Sequence, residues 1–127
     1  MPDSVRQLCE RYYSAWQQKN LAAILACLHP EVVFKSPNGT TRGRDAYAAA
    51  ASRFLPLVDR IEVRKTFTAA DSAMAAVDFY CIQPIGLCPT AELMGLKDAL
   101  IIEDELFFDA RPFEALARAR AAAQGGK

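Results

Sequence analysis

Asp104 is the residue whose setting would most change its chemistry. It lies in the last alternating run of the chain, where Leu100, Ile102, Leu106 and Phe108 share its phase, and Ile101, Glu103, Glu105 and Phe107 take the opposite one. If the apolar phase faces an interior, the carboxyl there is cut off from water. Burial penalises the charged form and drives the pKa up. A carboxyl tuned in this way can give or take a proton near neutral pH. The competing readings are that Asp104 pairs with a cation, or that the register slips by one residue and turns it to water. Tyr12 is the second candidate. It belongs to a helical stripe of Val5, Leu8, Cys9, Tyr12 and Trp16. A phenol aimed into a dry pocket can stabilise charge developing on a carbonyl oxygen. The ordinary alternative is a core tyrosine with its hydroxyl at the rim.

The remaining reactive side chains form no familiar constellation. His29 is the single histidine, too few for a Ser-His-Asp site or a usual zinc site, and it reads as a helix-end residue. No glycine-rich phosphate loop is present. No metal or cofactor is therefore expected. Cys9, Cys27, Cys81 and Cys88 sit at spacings that fit no zinc motif, three of them inside apolar patterns. They read as reduced thiols in a cytoplasmic protein, and the first residues lack the features of a signal peptide. An acid–Arg–acid hydrolase site would draw on Asp78, Asp104 and Arg64. Asp78 and Arg64 both fall on the polar phases of their strands, which argues against it. Lys65 is in phase with Ile61, Val63 and Phe67 and so points inward unless a bulge or a snorkelling stem intervenes. Arg53 reads as part of a solvated helix face.

The 127 residues suit one domain, with 15 basic and 15 acidic side chains in balance. That balance removes the electrostatic drive for nucleic-acid or acidic-membrane binding, and no apolar run is long enough for a membrane span. The hydrophobic fraction of 52% excludes a disordered chain, although 23 of its residues are Ala.

Several elements must position these groups. The stripe above predicts a helix over about residues 3–18. Asn20 is placed to cap a second, short helix carrying Leu21, Ile24, Leu25 and Leu28, which His29-Pro30 ends. Residues 31–36 alternate as a strand, and 37–39 form a turn. Gly43-Arg44-Asp45 opens a third helix whose buried stripe is Tyr47, Ala50, Phe54, Leu57 and Val58. The period then changes to two, predicting strands around 61–67, 75–81, 90–96 and 99–109, with turns at Asp71-Ser72 and Lys97-Asp98. Residues 83–89 hold two prolines and a glycine and read as a loop or bulged edge. Pro112 starts a final short helix, and 121–127 reads as a frayed tail. Helices segregated from an antiparallel sheet make an α+β fold, here a single domain over 1–127 with its core in about 5–115. Met94, Ile101 and Phe107 are expected on the sheet's outer face, an apolar patch suited to two-fold pairing.

Four segments, in this order, resemble the SnoaL-like domains of the nuclear transport factor two-like superfamily. They are Arg11-Tyr12-Tyr13 with Trp16; Leu28-His29-Pro30-Glu31-Val32-Val33-Phe34; Gly43-Arg44-Asp45; and Leu106-Phe107-Phe108-Asp109-Ala110-Arg111-Pro112-Phe113. The resemblance implies a cone-shaped barrel, in which a strongly curved, mainly antiparallel sheet and three N-terminal helices enclose an apolar pocket. It also implies a homodimer formed through the sheet. Members include ketosteroid isomerases, polyketide cyclases, limonene epoxide hydrolases and non-catalytic modules, so fold alone does not settle function. Tyr12 matches the isomerases' helix-one oxyanion donor, and the cyclases' cavity aspartate makes Asp104 relevant. The isomerases' general-base aspartate would fall at Ser36, and their second acid near Thr90 or Ala91, so neither acid is matched. Ser36 is expected to hydrogen-bond a ligand or cap a turn. Trp16, Phe34, Phe54, Phe79 and Phe108 are expected to line a pocket for a small hydrophobic, carbonyl-bearing ligand. The expected activity is isomerase- or cyclase-type proton transfer by Asp104, with Tyr12 or Ser36 orienting an oxygen. The alternative is a non-catalytic binding or dimerisation module.

Overall fold

The computed structural model describes residues 2–125, with side chains described from Ser4 onward. Helix α1 runs Pro2–Gln17 and buries a wide face that includes Val5, Leu8, Tyr12, Tyr13 and Trp16. Asn20 then caps α2, Leu21–Ala26, its side chain accepting the backbone N–H of Ala23 at 3.1 Å. Strand β1, Leu28–Ser36, starts earlier than the sequence suggested. Pro30 is accommodated within it, where the pairing with a neighbouring strand is interrupted between Leu28 and Val33. A short strand not anticipated, β2 (Gly39–Arg42), turns back along β1. Gly43, at φ 92°, then leads into α3, Arg44–Phe54.

The long strands are β3 (Val58–Thr68), β4 (Ser72–Cys81), β5 (Leu87–Lys97) and β6 (Leu100–Phe107). All six strands form one sheet in the order β2-β1-β6-β5-β4-β3. Every pairing is antiparallel except the parallel β1–β6 pair. The fold is therefore α+β, with a mixed, mostly antiparallel sheet and its helices gathered mainly at the N-terminal end of the chain. The β5–β6 turn has Asp98 and Ala99 at φ 55° and 61°, which suits a two-residue hairpin loop. Part of the expected proline-rich loop belongs to β5: Pro89 lies opposite Asp78 on β4, while pairing with β6 begins only at Ala91. Proline there costs no ladder bond to β6. The final helix, α4 (Arg111–Gly125), is long rather than short. Residues 121–125, expected to fray, are helical, and 126–127 lie outside the described residues.

One face of the sheet packs against the helices. Its inward residues are Ala73, Ala75, Val77, Phe79 and Cys81 on β4, and Cys88, Thr90, Glu92 and Met94 on β5. Two register shifts correct the expected faces. Between Val63 and Lys65 the β3–β4 pairing skips Arg64, so Lys65 faces outward opposite Ala76, and Phe67 is exposed. Between Ile101 and Glu103 the β5–β6 pairing skips Ile102, which lets both Ile101 and Asp104 face the core. Met94 and Ile101 are thus buried, not on the outer face. The apolar outer residues are instead Phe67, Met74, Leu87, Leu93 and Phe107. No described helix is long and apolar enough to cross a membrane, and all four cysteines are free and buried.

Candidate functional site

Asp104 is 1% exposed and Glu92 3% exposed. Both project from the core face of adjacent strands: Met94 pairs with Asp104 and Glu92 with Leu106, so the two carboxyls stand diagonally across β5 and β6. Two phenols bond them directly, and a third bonds one of these phenols. The Tyr12 hydroxyl on α1 lies 3.0 Å from Glu92 Oε2, 3.3 Å from Asp104 Oδ2 and 2.6 Å from the Tyr47 hydroxyl on α3. Tyr13, the next residue of α1, donates to Glu92 Oε1 at 2.7 Å. Two neighbouring tyrosines reach one acid because α1 buries a face broad enough to take both.

Burial is the main force on the Asp104 acid. It raises the pKa well above the ordinary aspartate value, and the nearby charge of Glu92 and a hydrogen bond with it add to the rise. The Tyr12 hydrogen bond acts in the opposite sense and is outweighed. Burial, followed by the two carboxyls, also pushes the Tyr12 and Tyr47 phenols well above the usual tyrosine range. Tyr13 moves the same way, through burial and then Glu92. The Cys9 thiol, raised to about 11 by burial and then by Glu92, is a poor nucleophile at neutral pH. Asp104 Oδ1 is buried and lacks a hydrogen-bond donor. Among the described residues, no group of three or more His, Cys, Asp or Glu side chains is placed to hold a metal ion.

The structure thus brings Asp104 and Tyr12 together. Glu92, Tyr13 and Tyr47 complete the cluster, and none of them was singled out as a site residue from the sequence. The signal for Glu92 was available: Cys88, Thr90, Glu92 and Met94 alternate in one phase. Placing Met94 outward turned Glu92 away with it. The aromatic residues expected to line a pocket pack against one another. Trp16 packs edge-on to Tyr12, Phe54 and Phe79 with ring centroids 6.5, 6.0 and 6.3 Å apart, and Phe34 packs on Tyr47 at 5.2 Å. Phe108 joins the group through Phe113 of α4, which lies 5.5 Å from Phe108 and 5.9 Å from Phe54. Ser36 stands apart and caps the turn after β1, accepting the backbone N–H of Asn38 at 3.2 Å. Asp78 and Arg64 meet each other at 3.7 Å away from the buried pair. His29 Nε2 lies 3.8 Å from Asp98 Oδ2. A groove of about 210 Å³ between α1 and β3 is lined by Arg6, Cys9, Tyr13, Gln17, Val63 and Thr66, among others. A second, of about 630 Å³, runs along α1 and α2. Neither includes Asp104.

The sequence pattern of the SnoaL-like domain matches residues 9–93. None of the curated proteins matches the chain. Among solved structures, a protein from Kribbella flavida shares 25% identity and a TM-score of 0.82, over 91% of this chain and 94% of its own. An NTF2-like protein of unknown function from Cytophaga hutchinsonii shares 20% identity and a TM-score of 0.74, over 85% of this chain and 92% of its own. Another Kribbella flavida protein, described provisionally as a ketosteroid isomerase, shares 16% identity and a TM-score of 0.77, over 85% of this chain and 79% of its own.

Proposed function

Because the chain belongs to the SnoaL-like domain family, we propose that it performs acid–base chemistry on a small, apolar, carbonyl-bearing molecule. The observation that carries this reading is the paired, buried carboxyls of Asp104 and Glu92, hydrogen-bonded by the hydroxyls of Tyr12 and Tyr13. Two acids this close in a dry site do not both ionise near neutrality. One stays a neutral proton donor and the other a carboxylate, which supplies an acid and a base side by side. Asp104 is the acid. Tyr12, beside it, orients and stabilises the ligand oxygen as charge develops there. Glu92 is the base that the sequence reading lacked. Trp16, Phe34, Phe54, Phe79 and Phe108 supply the apolar surroundings, and a ligand reaches the acids by displacing part of this ring cluster.

The test is deuterium exchange at the α-carbon of apolar cyclic ketones of one to four rings, followed by NMR in D₂O. The wild-type protein accelerates exchange of at least one of them. Asp104→Asn and Tyr12→Phe each lose a factor of about 10²–10⁴. Exchange at the buffer rate across the series contradicts the enzymatic reading. A non-catalytic binding or dimerisation module is the second reading, favoured by the ring-to-ring packing where a pocket was expected.

The proposed assembly is a homodimer through the outer face of the sheet. Phe67, Met74, Leu93 and Glu105 form one cross-strand row there, and Lys65, Ala76, Ala91 and Phe107 the next. A two-fold axis through this face covers the apolar centre and leaves the charged residues at its rim.

A further inference from the structure

The donors around the two buried acids are not shared evenly. The Tyr12 and Tyr47 hydroxyls lie 2.6 Å apart, and either can donate to the other. Of the two carboxyls, Glu92 Oε2 at 3.0 Å is nearer the Tyr12 hydroxyl than Asp104 Oδ2 at 3.3 Å. Tyr13 adds a second phenol at the other oxygen of Glu92. Asp104 Oδ1, by contrast, receives none. We propose that Tyr13 is a positioning residue: its hydroxyl, 2.7 Å from Glu92 Oε1, holds the negative charge of the buried pair on Glu92 and so keeps the shared proton on Asp104.

The titratable groups packed around the pair are Tyr12, Tyr13 and Cys9 from α1 and Tyr47 from α3. At neutral pH all four are uncharged, so hydrogen bonds rather than a counter-ion decide which acid is ionised. Tyr13 also borders the groove between α1 and β3, as Cys9 does. Removing its hydroxyl leaves one proton on the pair but changes where that proton resides. The catalytic meaning of the assignment rests on the acid–base reading above. The assignment itself is read in the ligand-free protein.

The experiment is carboxyl ¹³C NMR at pH 7 on protein labelled at Asp and Glu side-chain carboxyls, in the wild type and in Tyr13→Phe. In the wild type, Asp104 shows the neutral-acid shift and Glu92 the ionised one. In Tyr13→Phe the Asp104 carbon moves toward the ionised position and the Glu92 carbon toward the neutral one, a change in the proton ratio of about tenfold or more, as expected for a hydrogen bond to a charged group. A purely structural role for Tyr13 would leave both carbons in place, and that result overturns the proposal. So does a wild-type spectrum with the proton on Glu92 or with both acids ionised, a measurement that needs no variant to fold. A protein that passes this test but fails to exchange ketone protons keeps the charge assignment and loses the enzymatic reading.

Discussion

Asp104 makes the stability of the protein depend on pH in a definite direction. Its folded pKa lies above its unfolded value, so between the two the native state binds more protons than the unfolded chain. Stability from this group is fully present below the ordinary aspartate range and declines as pH rises from there to the folded pKa, at about 1.4 kcal/mol per pH unit across that window. Urea unfolding at several pH values checks this: the wild type loses stability as pH rises from 5 to 8, and Asp104→Asn loses less. Tyr12→Phe removes the hydroxyl placed among Tyr47, Glu92 and Asp104 and is expected to cost about 1–3 kcal/mol at pH 7 in the same assay. Asp104 and Tyr12 were legible in the sequence because each sits among large apolar residues of the matching period. Glu92 was not, because alternation gives two faces without saying which is inner. Tyr13 was hidden because a single helical stripe is narrower than the face that α1 buries.

Helix α4 is the element whose attachment bears most on access. It buries none of its residues fully and meets the core through Phe113 and Leu116. Phe113 closes the ring cluster over Phe54 and Phe108. Phe113→Ala is therefore expected to leave the sheet folded, at a cost of about 2 kcal/mol or less for a half-buried ring, and to increase binding of a fluorescent apolar dye several-fold. Unchanged dye binding contradicts a covering role. The helix was expected to be short because its alanine-rich second half carries no stripe of large apolar residues. The strands were readable where alternation was unbroken, as in β4. They were misread beyond a bulge, since one extra residue at Arg64 or Ile102 exchanges the faces on either side. Strand β2 has four residues and no large apolar side chain, so its pairing with β1 left no pattern to read.

At the scale of the molecule, the order of helices and strands carried the α+β class and the family, because both depend on element type and sequence rather than on register. The outer apolar face depended on register, and its membership changed accordingly: Phe107 stays, 46% exposed, while Phe67, Met74 and Leu93 replace Met94 and Ile101. The proposed dimer is expected to sediment as such at micromolar concentration and to dissociate on Leu93→Lys or Phe107→Glu, each of which places charges opposite one another across the two-fold axis. Wild-type protein sedimenting as a monomer contradicts it. The deciding measurement for the whole account is the ¹³C titration of the Asp104 carboxyl in the ligand-free protein. Asp104 is expected to remain protonated well past the range where exposed aspartates ionise. A midpoint at about 4, that of an ordinary aspartate, would contradict it.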